Sequence, residues 1–306
     1  MYNVKLMHIG LCVQPKPYNG FQQAFIDILG EENYREINCG DKELNKKSIE
    51  IFNEFKPDIV FMQIQTDGII DFSTIEYFHS KGCKIINWTG DIRHYTPSWM
   101  LDIAPYCISA FSNMNDVKNV IKQGYQSKYL EIGYDPLIYT PIGEKAVCPE
   151  IVFMANNYVN QFPLSKYRAN VVQQLTDEYG SRFGVYGSGW TVAMGNLNGS
   201  QIEEAKYYRG CKIAINISHF EAQRYSSDRL LRILGSGALC ISHRFPNMDY
   251  KDEEHLLIFD DVEDLKDKIN YYICHDSERM EIAKRGNELV LNRNTFHCQV
   301  KNILEL

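Results

Sequence analysis

The residues able to do polar chemistry gather in a few short stretches. The densest is Arg224 to Cys240, RYSSDRLLRILGSGALC, where polar residues lead into an apolar-periodic helix that closes on Gly235-Ser236-Gly237 ahead of a short strand. Ser226 or Ser227 is placed to cap that helix through its hydroxyl. The unpaired amides and dipole of such an end attract phosphate. Arg224 and Arg229 add fork-shaped cations suited to two phosphate oxygens, and Asp228 and Arg232 lie one turn apart on the same helix. The same residues also suit an ordinary capped helix, with Asp228 sitting well on the dipole.

A second stretch, Thr89 to His94 (TGDIRH), sets a carboxylate, a guanidinium and an imidazole close together. Asp91 or His94 there could take a proton from a hydroxyl within hydrogen-bond reach. The plainer alternative pairs Asp91 with Arg93 at the surface. Asn156 and Asn157 offer side-chain amides after an apolar run, and Gly187 and Gly189 in GSGW allow backbone to come close. Asn19-Gly20 stands just before a helix start, where amides point outward.

Other chemistries are missing their patterns. There is no G-x-G-x-x-G after the first strand and no G-x-x-x-x-G-K-[ST], which argues against a dehydrogenase and a P-loop hydrolase. No C-x-x-C or H-x-x-x-H pair indicates a metal, and His8 and His219 adjoin apolar strands, as satisfied structural histidines do. Nine scattered cysteines fit a reducing compartment. The chain has 32 basic against 39 acidic residues, a net charge of −7, which opposes a surface coated for nucleic acid. No apolar run approaches the roughly 20 residues of a membrane span, and MYNVKLMHIGLCV is not built as a signal peptide. A cytoplasmic protein is expected.

The elements that must position these residues alternate. Strands are expected at Lys5 to Cys12, Tyr34 to Asn38, Asp58 to Ile64, Cys83 to Trp88, Tyr106 to Phe111 and Lys128 to Ile132, spaced by helices, with TGDIRHYTPSW as an exit loop. GYDPLIYTPIGEKAVCPE carries three prolines and no periodicity and is read as a linker. A second alternating series follows, then helices at Val262 to Cys274 and Ser277 to Leu291 and a terminal segment, Thr295 to Leu306. The fold class is α/β: two Rossmann-like parallel-sheet domains facing across a cleft. The domains expected are residues 1–145, with a helix over 292–306 packing back on it, and residues 146–291. In such sheets ligands bind outside the carboxyl ends of the strands.

In this order and spacing the motifs resemble the two-domain glycosyltransferases of the GT-B architecture, most of all the bacterial and phage enzymes grouped with the spore-maturation protein CgeB. INWTGDIR, GYDPLIYTP, EIVFMANNY, FGVYGSGW, KIAINIS and SSDRLLRILGSGALCIS are the segments that carry the resemblance. It implies a nucleotide-sugar donor, a uridine diphosphate sugar first, held mainly by the second domain. Its diphosphate would lie at the helix near Ser226, and donor contacts would come from Asn156, Asn157, Gly187, Gly189, Arg224, Ser227, Asp228, Arg229 and Arg232. It implies no bound metal and no further cofactor. The acceptor, a glycan, a small molecule or a hydroxymethylated DNA base, would meet the first domain, with Asn19 and Gly20 in its loop and Asp91 or His94 as base.

The chain departs from the pattern where many such enzymes place a glutamate: Arg232 stands there, and Arg224 eight residues earlier. Asp228 could accept ribose hydroxyls instead or pair with Arg232 at i,i+4. Ala155 replaces a glycine common in that loop. A retaining enzyme can dispense with a protein base, whereas an inverting one needs a residue such as Asp91. Lys118, Lys122 and Lys128 form a small basic face with one acid, Asp116. The alternatives are a sugar-nucleotide epimerase and a non-catalytic nucleotide-binding protein on the same fold.

Overall fold

The structure, a computed structural model, describes residues 3–12, 20–197 and 199–306. The chain divides into two compact units, Met1–Gly133 with Phe296–Leu306, and Tyr134–Thr295.

The first unit is built on β1 (Leu6–Gly10), β2 (Tyr34–Asn38), β3 (Ile59–Met62), β4 (Lys84–Thr89), β5 (Ile108–Phe111) and β6 (Ser127–Tyr129). They pair in the order β2-β1-β3-β4-β5-β6, every pair parallel. β1 and β3 are buried along their whole length. Helices cover both faces of such a sheet, so these strands read as unbroken apolar runs. Its helices are α1 (Gly20–Leu29), α2 (Leu44–Phe55), α3 (Phe72–Ser80), α4 (Ser98–Ile103) and α5 (Met114–Lys122). Asn113 caps α5 by accepting from the Asp116 amide. α4 falls in a stretch expected to be loop. At six residues it has too few turns for a periodic signal, and Pro97 just before it reads as a breaker.

The second unit holds β7 (Ile151–Met154), β8 (Phe183–Tyr186), β9 (Ile213–Asn216), β10 (Leu239–His243) and β11 (Leu257–Phe259). Their order is β11-β10-β9-β7-β8, again all parallel. Winding reverses between β7 and β9, which makes that gap the place where a doubly wound sheet opens a crevice at its carboxyl edge. Around it lie α6 (Ser165–Tyr179), α7 (Gln201–Gly210), α8 (Asp228–Gly235), α9 (Val262–Cys274) and α10 (Asp276–Arg293). From Tyr134 onward the stretch read as a linker packs on this unit. Tyr134 and Tyr139 are buried, and Arg209 donates to the carbonyls of Ile138 and Glu144. Unpaired carbonyls in a proline-rich segment need donors, and an arginine from α7 supplies them.

After α10 the chain returns to the first unit as α11 (Phe296–Glu305), which buries Val300 and Ile303 in the core with Leu6, Phe21 and Phe25. The Phe296 ring rests 5.0 Å from that of Phe21. A Cβ on Gly20 would lie 1.7 Å from the Phe296 ring, and one on Gly133 2.5 Å. Among the described residues, then, what comes close to Gly20 is a side chain of this helix. Asn19 lies outside the described residues.

Candidate functional site

The loops leaving β7 and β8 are stitched together by backbone. Ala155 N donates to Tyr186 O and Asn157 N to Ser188 O, each at 2.8 Å. Asn156 Oδ1 accepts from Ser188 N at 3.0 Å, and Asn157 Oδ1 accepts from Val159 N at 2.9 Å. Gly187 has φ 138° and a Cβ there would lie 2.2 Å from Ala155 O; Gly189 has φ 81°, with Asn157 O at 2.3 Å. The close approach that requires glycine at both positions is that of one loop to the other.

Beneath these loops lie two arginines. Arg229, the second residue of α8, donates through Nε to Met154 O at the end of β7 (2.7 Å). Its Nη1 reaches Ile217 O just beyond β9 (3.2 Å), Asn216 Oδ1 (3.4 Å) and Ser227 Oγ (3.3 Å). Arg229 therefore bridges the two strands between which the winding reverses. Its Nη2 has no acceptor among the described residues. Arg168, on α6, is buried with 1% exposure. It contacts the ring of His219 and donates to Asn156 O at 3.3 Å, and its Nε has no partner. Both guanidiniums lie against the Phe153 ring, at 5.4 and 5.3 Å from its centroid, as cations lie on aromatic faces.

Neither arginine is paired with a carboxylate. Burial first, and Arg229 next, hold Arg168 well below the ordinary arginine range. Burial and both arginines push His219 down to about 3, so the ring facing Arg168 is neutral. His219 is also packed between Tyr158 and Phe162, at 5.2 and 4.7 Å between centroids. Two cations without carboxylate partners attract an anion.

The N-terminus of α8 adds to that field. Ser227 occupies the cap position, but no side chain caps the helix. This corrects the expectation of a serine cap: Ser226 Oγ donates to Ser227 O, while the Ser227 hydroxyl accepts from Arg229. The first-turn amides are left without a side-chain acceptor, as a helix end that meets an anion requires.

The remaining charged candidates are tied down. Arg232 Nη2 contacts Asp228 Oδ2 at 2.5 Å and its Nη1 contacts Glu204 Oε2, from α7, at 3.0 Å. Glu204 also accepts from the hydroxyls of Tyr139 (2.6 Å) and Tyr208 (3.2 Å). Burial alone would lower Arg232, but Asp228 and Glu204 outweigh it and raise its pKa. Arg224 pairs with Asp249 at 2.7 Å, with φ 52°.

In the first unit Asp91 is exposed, and its amide donates to Gln65 Oε1 at 3.0 Å. Arg93 bonds the main-chain oxygens of Asp91 and Gln65. The Asp91–Arg93 side-chain pair is therefore not formed. His94 is exposed on the same loop. Ser112 Oγ holds Gly90 O at 2.7 Å, and Thr96 Oγ1 holds Asp116, so this loop is fastened to β5 and α5. Asp116 is buried there and contributes nothing to a lysine face. Among the described residues no three His, Cys, Asp or Glu side chains gather as for a metal, and no helix is long and apolar enough to cross a membrane. Arg168 and Glu204 escaped sequence reasoning, because each acts through a partner more than 25 positions away.

The two parallel α/β units define the GT-B class of fold. The family described as glycosyl transferase-like matches residues 168–305. Solved structures agree over nearly the full length. The glycosyltransferase from Rickettsia africae ESF-5 superposes with a TM-score of 0.68 at 13% identity, covering 99% of this chain and 98% of that one. Anabaena HepE in complex with UDP and glucose superposes with a TM-score of 0.64 at 9% identity, covering 99% and 98%. No curated protein matches the chain in sequence. By that match over the second part of the chain and by fold, the chain is similar to the GT-B glycosyltransferases.

Proposed function

We propose that the chain transfers a sugar from a nucleoside diphosphate donor, a uridine diphosphate sugar first among them, to an acceptor hydroxyl without a bound metal. The observation that carries this reading is the pair Arg168 and Arg229, both lying against the Phe153 ring and both without a carboxylate, beside the uncapped end of α8. As the glycosidic bond breaks, negative charge grows on the departing diphosphate. Cations and amides fixed in advance stabilise that charge without reorganising. Arg229, half-buried with Nη2 unengaged, would touch the phosphates; Arg168, fully buried, would act through its field. These charges do the work a divalent ion does elsewhere, and HepE's complex with UDP and glucose supports the donor class. The proton of the acceptor hydroxyl goes either to the departing phosphate or to a base such as Asp91 or His94.

Thermal melting in EDTA with uridine, UDP, GDP and dTDP tests the proposal. A ligand at about a hundred times its dissociation constant stabilises by about 2.7 kcal/mol. UDP should do so in EDTA, and Arg229→Ala should weaken UDP at least about a hundredfold, as loss of a charged hydrogen-bond partner does, while leaving uridine nearly unchanged. If all three diphosphates leave the melting point unmoved, the proposal fails. Conversion of a UDP-sugar to its epimer with no acceptor present would favour the epimerase reading instead.

A further inference from the structure

The first unit contains a cavity of about 480 Å³ between the loop that follows β3 and the helix α4. That size suits a small organic ligand. It also lies at the carboxyl edge of the sheet, where doubly wound folds bind ligands. Its apolar wall is Ile64, Ile75, Ile103 and the indole of Trp99. Ile64 and Ile75 are core residues of this unit, so the floor is rigid.

The charged residues of the lining are all acids: Asp67, Asp71 and Asp102, with no lysine, arginine or histidine among them. Asp67 Oδ1 accepts from the Gly68 amide. Among the described residues the carboxylates of Asp71 and Asp102 have neither a hydrogen-bond donor nor a cation, and Trp99 Nε1 has no acceptor. All three aspartates are solvent-exposed, and their like charges around one apolar cavity disfavour an anionic occupant. An occupant bearing a positive charge would be favoured instead, and a tryptophan face beside it is the best aromatic surface for a cation.

We infer that this cavity takes the body of the acceptor, and that the acceptor is a small molecule carrying a protonated amine on an apolar or ring-shaped frame. The word acceptor rests on the transferase reading above; the binding chemistry does not. A phosphate-rich acceptor such as a nucleic acid is disfavoured by the same carboxylates. α4 contributes Trp99, Asp102 and Ile103, and the loop leading into it carries Asp91 and His94.

Binding of probes to the full chain tests this without turnover. Phenethylamine, 2-phenylethanol and phenylacetate share a frame and differ in charge. Titration followed by the NMR signal of the Trp99 indole, assigned through Trp99→Phe, should show phenethylamine binding at least about tenfold more tightly than the alcohol, with phenylacetate not binding. Asp71→Asn and Asp102→Asn should each weaken the amine by about threefold, and together by about tenfold, leaving the alcohol unchanged. The inference is overturned if the alcohol matches the amine, if the double variant binds the amine as before, if no probe binds, or if only a polynucleotide perturbs Trp99. UDP-induced stabilisation, measured on the same samples, reports separately on the donor site.

Discussion

Arg168→Met should make the ligand-free protein more stable while weakening its hold on a diphosphate. Arg168 is 1% exposed, faces a neutral imidazole and a carbonyl, and leaves Nε unbonded. Exchanging buried charged groups for apolar ones of similar length stabilises by about 1–4 kcal/mol, and here no carboxylate is orphaned by the exchange. The contacts to His219 and Asn156 O are lost, at about 1 kcal/mol each. A net gain of up to about 2 kcal/mol remains, which raises the melting temperature of a unit this size by up to about 8 °C. For the ligand, the missing term is the field of one unit charge. Across about 10 Å with an effective dielectric of about 20 it is worth about 1.7 kcal/mol, roughly fifteenfold in affinity. Scanning calorimetry of parent and variant, with and without UDP, and titration of UDP into each, read both quantities. A variant that melts below the parent would mean that Arg168 is already compensated in the free protein. Unchanged UDP affinity would mean that its field does not reach the ligand. Either result refutes the reasoning.

Three other perturbations follow from the geometry. The folded-state pKa of His219, about 3, lies below its ordinary 6.5, so the unfolded chain takes up the proton first. The stability held there is complete above about pH 6.5 and falls as pH drops toward 3; His219→Gln should flatten urea-melt stability against pH by at most about 1.4 kcal/mol per unit in that window, and an unaltered slope would count against the assignment. Gly180 and Gly187 both have positive φ, but only a Cβ at Gly187 meets backbone, so Gly180→Ala should cost about 1–2 kcal/mol and Gly187→Ala at least about twice that. Equal losses in guanidinium melts would show that the loops yield. Glu204→Gln, at a side chain 14% exposed, should destabilise by about 3–5 kcal/mol. Asp228→Asn, 44% exposed, should cost about 1 kcal/mol or less, and the reverse order would contradict the network described.

Much of the architecture is legible in the chain because both sheets are parallel and buried. Runs such as IVFM at 59–62 and again at 151–154 can belong to little else when helices separate them. α8 and its attraction for an anion are legible too, since cap residues, arginines and a closing glycine lie within one short stretch. Legibility fails where a residue's meaning comes from across the fold. Gly187 and Gly189 look like ligand-facing glycines until Ala155 and Asn157 are seen to fill the space. Arg168 is one of two basic residues in LSKYRAN; only its burial against Phe153 sets it apart. The cavity beneath Trp99 could not be foreseen, because the helix that walls it is too short to show a period.

The distribution of charge around α8 accounts for an apparent conflict in its sequence. An aspartate in the first turn of a helix would repel a diphosphate brought to the same end. Here Asp228 is neutralised by Arg232, and Arg232 shares its remaining charge with Glu204, whose oxygens also take two tyrosine hydroxyls. The acids beside the helix are thus closed into a network that holds them away from a ligand. Arg229 and Arg168 are left outside that network, in a chain whose net charge is −7 and which has acids to spare for pairing. An arginine in place of the usual glutamate therefore need not cost the site its affinity for an anion. It secures the aspartate one turn earlier, and the carboxylate that the helix lacks at position 232 stands beside it on α7 as Glu204.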